Sequence, residues 1–216
     1  MLYSDLLAAW WEEYKLSLRE NTIHKKEDEM RVHILPGLGG HVAAEITAQT
    51  IKGYIDLKLA HGSPLRHPGG LAPATVVCHL HIINSSFAWG VANKMVPLNP
   101  CAKIKYPAPQ RRSIVTFTPT EIAQLIAAAK PPWFADLLLL AAQTGMRKGE
   151  LYGLQWGDVN ISGGWLDIFR TVGAYKPGQT LIGPPKTKKS ERRVLLDKAS
   201  IDMLSRRQLD KRFEWV

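Results

Sequence analysis

The sequence predicts a mainly α-helical protein with a small antiparallel β-sheet: a four-helix N-terminal domain, then an α+β domain. Three observations predict it. Apolar residues recur at helical spacing through the first hundred positions. A proline-bearing basic stretch, Pro97 to Arg112, has no apolar period and reads as an interdomain linker. Beyond it, two runs of strand formers, Trp165 to Arg170 and Arg192 to Leu196, flank the strand-ending Gly183-Pro184-Pro185.

Each element has a local cause. Leu6, Leu7, Trp10, Trp11, Tyr14 and Leu18 form one stripe behind a Ser4 cap. A second helix is expected from Asn21-Thr22 to just before Pro36-Gly37, with Ile23, Met30 and Ile34 inward. Thr47 caps a third helix, whose Ile51, Tyr54, Ile55 and Leu59 lead to a stop at His61-Gly62. Ser63 to Gly70 reads as a loop. Pro73 then suits the first turn of a fourth helix carrying Val76, Val77, Leu80, Ile83 and Phe87. In the second domain, Thr118-Pro119-Thr120-Glu121 is a cap-and-proline start. The apolar run Leu137 to Ala142 closes at Thr144-Gly145, with glycine past the helix end. A last amphipathic helix begins near Ala199.

Composition excludes several classes. With 45% hydrophobic and 22% charged residues in 216, the chain is globular and has room for two small domains. Lys plus Arg number 28 against 19 Asp plus Glu, a formal net charge of +9 that suits a polyanion partner. Residues 108 to 216 hold 17 of the basic and 10 of the acidic residues, so the excess sits mainly in the second domain. Two cysteines, Cys78 and Cys101, make no disulfide framework. The first residues, MLYSDLLAAWWEEY, lack the basic start of a signal peptide, and no apolar stretch approaches membrane length. All seven histidines lie between positions 24 and 81, and His79 and His81, two apart on a helix, face different ways. No metal site is expected from them.

Two segments carry chemistry. In TGMRKGELYGLQW, residues 144 to 156, Arg147, Glu150, Leu151 and Leu154 fall on one face of a new helix. The leucines should turn that face inward and take the Arg147 guanidinium with them. Either Arg147 and Glu150 form an ordinary salt bridge, or Arg147 and nearby free backbone N–H groups cradle a phosphate, with Glu150 steadying the fork. The second segment, PPKTKKSERRVLL, residues 184 to 196, reads as a β-hairpin with Lys186, Lys188 and Lys189 near its tip and Arg192 and Arg193 just beyond. It is either a solvated basic loop or a flexible arm over a nucleic-acid backbone.

Together these segments resemble the tyrosine recombinase, or phage integrase, family. Thr144 to Trp156 is similar to the family's box around its first catalytic arginine, and Pro185 to Val194 to its β-hairpin lysine region. HILPGLGGHVAAEIT (33 to 47) and NPCAKIKYP (99 to 107) resemble its core-binding domain. The resemblance implies an N-terminal four-helix core-binding (SAM-like) domain at residues 1–107. Part of an α+β catalytic domain would follow at 108–216, left incomplete.

It also implies a chemistry. A tyrosine attacks the scissile phosphate, leaving a 3′-phosphotyrosine and a 5′-hydroxyl, with no cofactor and no metal. Arg147 is implied as the catalytic arginine, Glu150 as its supporting carboxylate and Lys186 as the lysine that protonates the leaving oxygen. Lys188, Lys189, Arg192 and Arg193 are implied as DNA-binding. The implied partner is double-stranded DNA, with a homotetramer on paired sites when full length. The implied setting is cytoplasmic, in a bacterium or phage-infected cell, with no membrane role. The chain departs from the family after Lys186, where neither His nor Tyr follows. Tyr175, the last tyrosine, lies in the wrong order for the nucleophile. The expectation is therefore a partial recombinase whose nucleophile is not in this chain, or a non-catalytic DNA-binding relative that occupies recombination sites.

Overall fold

The computed structural model describes residues 1–62, 69–108, 113, 115–176, 179–184 and 190–209. The chain divides into two compact units, Met1–Ser113 and Ile114–Val216. It is mainly helical with small antiparallel sheets, the predicted class.

In the first unit, α1 spans Tyr3–Tyr14 and buries Leu6, Leu7, Trp10 and Trp11. Ser4 is not its cap. The helix starts earlier because the loop around residue 40 supplies acceptors: Tyr3 N–H donates to His41 O (2.8 Å) and Ser4 N–H to Gly39 O (3.1 Å). The Asp5 carboxylate accepts from the Leu2 N–H at 3.0 Å.

The second helix also departs from expectation. α2 runs Glu20–Glu29, and a π-helical turn, Met30–Ile34, carries the path into α3, Leu35–Leu38, so helix continues through Pro36-Gly37. Pro36 lies in the first turn of α3, where its missing N–H costs least. α4, Ala48–His61, starts at a Thr47 cap whose hydroxyl accepts from Thr50 N–H (3.2 Å), and it ends at Gly62, φ 58°. Part of the expected 63–70 loop, residues 63–68, lies outside the described residues.

α5, Pro73–Ala92, is the core's spine. Val76, Leu80, Ile83 and Phe87 are fully buried as predicted, while Val77 is only half-buried and Ile82 joins the core. Tyr3 stacks on Phe87 at 4.9 Å, with its hydroxyl 2.9 Å from Ser86 Oγ. His79 is buried, its Nδ1 3.0 Å from the Tyr54 hydroxyl and its ring stacked on His33 at 4.8 Å. His81, by contrast, is exposed.

The proline-bearing stretch is not a bare linker. Cys101 is buried, and Ile104 and Tyr106 pack against the first core, so the chain stays docked on this unit through Tyr106.

In the second unit, α6 (Pro119–Ala128) begins at Thr118, whose hydroxyl and backbone are closed by Glu121. α7 (Pro132–Thr144) ends at Gly145 in the left-handed region, φ 61°. α8 (Lys148–Gly153) follows, and the chain turns into β1, Val159–Asn160.

Strands β2 (Trp165–Ile168) and β5 (Arg192–Leu195) pair antiparallel, Ile168 opposite Arg192, giving a sheet of order β1-β2-β5. Between them lies a second hairpin that the sequence pattern does not announce: β3 (Thr171–Lys176) against β4 (Gln179–Gly183). α9 (Lys198–Leu209) closes the described chain, and the core gathers Leu137, Leu140, Leu151, Leu166, Met203 and Leu204.

Candidate functional site

The segment Thr144 to Gly153 turns twice within ten residues. Gly145 takes the left-handed conformation that ends α7, and Met146 drops into the core, 6% exposed. Arg147 therefore emerges with extended backbone (φ −70°, ψ 154°) as the cap of α8, not as a helical residue.

That overturns one expectation. The Arg147 side chain points outward, 72% exposed, because a cap residue does not share the face of Leu151 and Leu154. The inward member is Glu150, 3% exposed. The Arg147 N–H itself is taken by Glu150 Oε2 at 3.0 Å.

Glu150 gathers two guanidinium groups. Arg147 Nη1 donates to Oε1 at 2.9 Å. From β5, Arg192 donates Nη2 to Oε2 at 2.9 Å and Nη1 to Oε1 at 3.3 Å, with Nη1 also reaching Ser190 O at 3.2 Å. Burial by itself would raise the Glu150 carboxyl. The Arg192 fork, the Arg147 N–H and the Arg147 guanidinium outweigh it and hold the group down to about 2. The result is a fixed carboxylate with a mostly solvent-facing arginine pinned to it, suited to meeting an anion.

Close packing locates this group. A Cβ on Gly149 would lie 2.4 Å from Thr171 Oγ1 and 2.7 Å from Val172 O, so glycine lets β3 run directly against α8. Beside it, Arg170 pairs with the buried Asp158.

Of the residues singled out in sequence, Arg147, Glu150 and Arg192 come together. Arg193 does not. It lies on the other face of β5, forked onto Asp167 (two bonds of 2.9 Å) and stacked 4.6 Å over the Trp165 ring. Lys186, Lys188 and Lys189 lie outside the described residues. Sequence reasoning missed the Arg192–Glu150 fork, which joins positions 42 apart. One signal was available: adjacent arginines in a strand face opposite ways, so one of the two must turn inward. The pairing of Asp136 on α7 with Arg206 and Arg207 on α9 was also missed and has no local signal.

Residues 2–59 match the family described as the phage integrase N-terminal SAM-like domain. A tyrosine recombinase XerC-like protein of Caldanaerobacter subterraneus is 28% identical over 97% of this chain, which spans 56% of that protein's length. The Tn1549 transposon integrase, solved in complex with a circular intermediate DNA, superposes at a TM-score of 0.80. It shares 17% identity over 98% of this chain and 66% of that one. Lambda integrase, solved as a dimer bound to a core site, gives a TM-score of 0.67 and 19% identity, covering 85% of this chain and 62% of that one. The chain is thus similar, in its N-terminal residues and in its fold, to phage integrases and tyrosine recombinases.

Among the described residues no helix is long and apolar enough to cross a membrane.

Proposed function

We propose that this chain is the core-binding domain (1–107) and part of the catalytic domain (108–216) of a site-specific DNA recombinase or integrase. One observation carries the reading most: a solvent-facing arginine, Arg147, tied to the buried carboxylate of Glu150.

Its chemistry is the exchange of one phosphodiester for another. A tyrosine oxygen bonds to phosphorus as the bond to the 5′-oxygen breaks, leaving a 3′-phosphotyrosine. Arg147 neutralises the charge developing on the non-bridging oxygens. Lys186 gives its proton to the departing 5′-oxygen, and Lys188 and Lys189 hold the backbone. Energy kept in the phosphotyrosine lets the reverse attack by a 5′-hydroxyl reseal DNA without nucleotide hydrolysis. The nucleophile is none of the tyrosines here. The full assembly is a homotetramer on paired duplex sites, working in the cytoplasm.

A second reading is a non-catalytic DNA-binding relative. The observation that favours it is the basic excess of the second unit, 17 basic against 10 acidic residues over 108–216, which serves backbone binding whether or not chemistry follows.

Both readings require duplex binding driven by backbone charge. Log affinity should fall against log salt with a slope near −0.9 per phosphate contact. Salt-independent binding, or none, rejects both. On a nicked duplex that traps phosphotyrosine intermediates, these 216 residues should form no covalent adduct. An adduct mapped to Tyr175 or any other residue here would overturn the assignment of the nucleophile.

A further inference from the structure

Arg192 reads from sequence as one more cation for the DNA backbone, yet its guanidinium is turned onto the protein. Its two terminal nitrogens fork across both oxygens of Glu150, and one of them also holds the Ser190 carbonyl. Ser190 lies four residues past Lys186. Glu150 in turn bonds the backbone and the guanidinium of Arg147. One buried carboxylate thus joins the start of α8 to the start of β5.

The geometry ranks the two arginines. Arg147 is 72% exposed and holds Glu150 by a single side-chain bond, an arrangement that orders a long side chain weakly. Arg192 is 31% exposed and makes the bidentate pair, which fixes direction as well as charge. Without Arg192 the buried carboxylate would lose its strongest partner and recruit Arg147 more fully, drawing that guanidinium from its outward pose.

We propose that Arg192 is a positioning residue. Through Glu150 it holds the Arg147 guanidinium in its outward pose, without itself contacting a phosphate. The role in DNA binding rests on the recombinase reading above, whereas the effect on Arg147 does not.

Arg193 supplies the control. It too is forked onto a carboxylate from β5, but on the opposite face and away from Glu150. The test is a double-mutant cycle in the full chain on duplex DNA, combining Arg147→Ala with Arg192→Gln or Arg192→Lys. Arg147→Ala should lower the salt slope by about 0.9, one contact. Arg192→Gln should do the same by misplacing Arg147, and the double variant should lose no more than either single one. Arg192→Lys, which keeps the charge but not the fork, should fail to restore the slope.

Losses that add to about two contacts, a slope restored by lysine, or a wild-type slope in Arg192→Gln would each overturn the proposal. If the wild-type chain binds no duplex, the recombinase reading fails, and the positioning role is decided without DNA. NMR should then show the Arg147 guanidinium drawn onto Glu150, with shifted resonances and slower Nε–H exchange, and the Glu150 carboxyl titrating at higher pH in Arg192→Gln, with neither change in Arg193→Gln. An unchanged Arg147 in that measurement also overturns it. Circular dichroism identifies any variant that does not fold, and Arg192→Lys then carries the cycle.

Discussion

The two units are stabilised by different means. In the first, α1 and α5 face each other through Tyr3, Leu6, Leu80, Ile83 and Phe87, all fully buried. In the second, fewer apolar side chains are buried among the described residues, and charged pairs tie the elements: Glu150 to Arg192, Asp158 to Arg170, Asp136 to Arg207. Phe117, Leu125, Trp133 and Ile182 remain substantially exposed there. The difference teaches where precision comes from. An apolar core tolerates approximate shapes, whereas a forked carboxylate sets the direction of a guanidinium, which a phosphate site requires.

The largest expected effect falls on the first unit. Phe87→Ala removes a fully buried ring stacked on Tyr3 and should cost about 3–5 kcal/mol. Hydrogen exchange by mass spectrometry should show lost protection in peptides from 1–113 and unchanged protection in those from 115–176. Equal loss in both would break the view of two separately stabilised units.

Acid should separate the units further. Burial, with His33 and Lys58 nearby, lowers His79 from 6.5 to about 4, so the unfolded chain binds the proton that the folded one resists. His79 therefore contributes nothing unfavourable above about pH 6.5, and stability falls as pH drops from there to about 4. The full loss is about 3 kcal/mol. Glu150 has the opposite chemistry and a lower window. Its carboxyl lies below its ordinary 4.5, so its contribution is complete above that pH and is lost as pH falls toward 2. Denaturant melts followed by exchange from pH 7 to 2 should show the first unit weakening first. His79→Gln should flatten the upper window only.

The smallest effect tests the outer face of β5. Arg193→Ala breaks an exposed pair with Asp167 and a stack on Trp165, and should leave the urea midpoint nearly unchanged. A midpoint lowered as far as by Arg192→Gln would show that this face is held as firmly as the Glu150 side.

Much of the helical framework was legible because its causes are local. Thr47, Pro73, Thr118 with Glu121, and Gly145 each act within four residues, and each marks a helix boundary where the structure has one. What misled were boundaries set from a distance. Ser4 yielded its capping role because His41 and Gly39 supply acceptors from another segment. Pro36 did not stop its helix, because a π-helical turn precedes it. Pro97 to Arg112 has no apolar period, yet Cys101, Ile104 and Tyr106 suffice to dock its first ten residues.

At the site, the pairing of Arg147 with Glu150 was legible at i, i+3. Its orientation was not. One backbone angle, ψ 154° at Arg147, decides outward against inward, and that angle follows from the Gly145 turn and the Met146 anchor. The pairing of β2 with β5 follows the two extended runs read from sequence; the Arg192 fork stayed hidden because its carboxylate lies 42 positions away on a helix.

Gly149 imposes a rule on how this region can diverge. Its missing side chain leaves β3 and α8 in backbone-to-side-chain and backbone-to-carbonyl contact, with Val172 O in the way of any Cβ. Nearby Gly157 meets nothing within 4 Å and is free of that constraint. A saturation library should therefore read as a sharp notch at position 149 beside a tolerant position 157. The notch would be relieved only by changes that move β3 bodily away. Any descendant that lengthens the β3–β4 excursion must keep its first two residues, Thr171 and Val172, where they are. Variation in this excursion is thereby channelled to its far end.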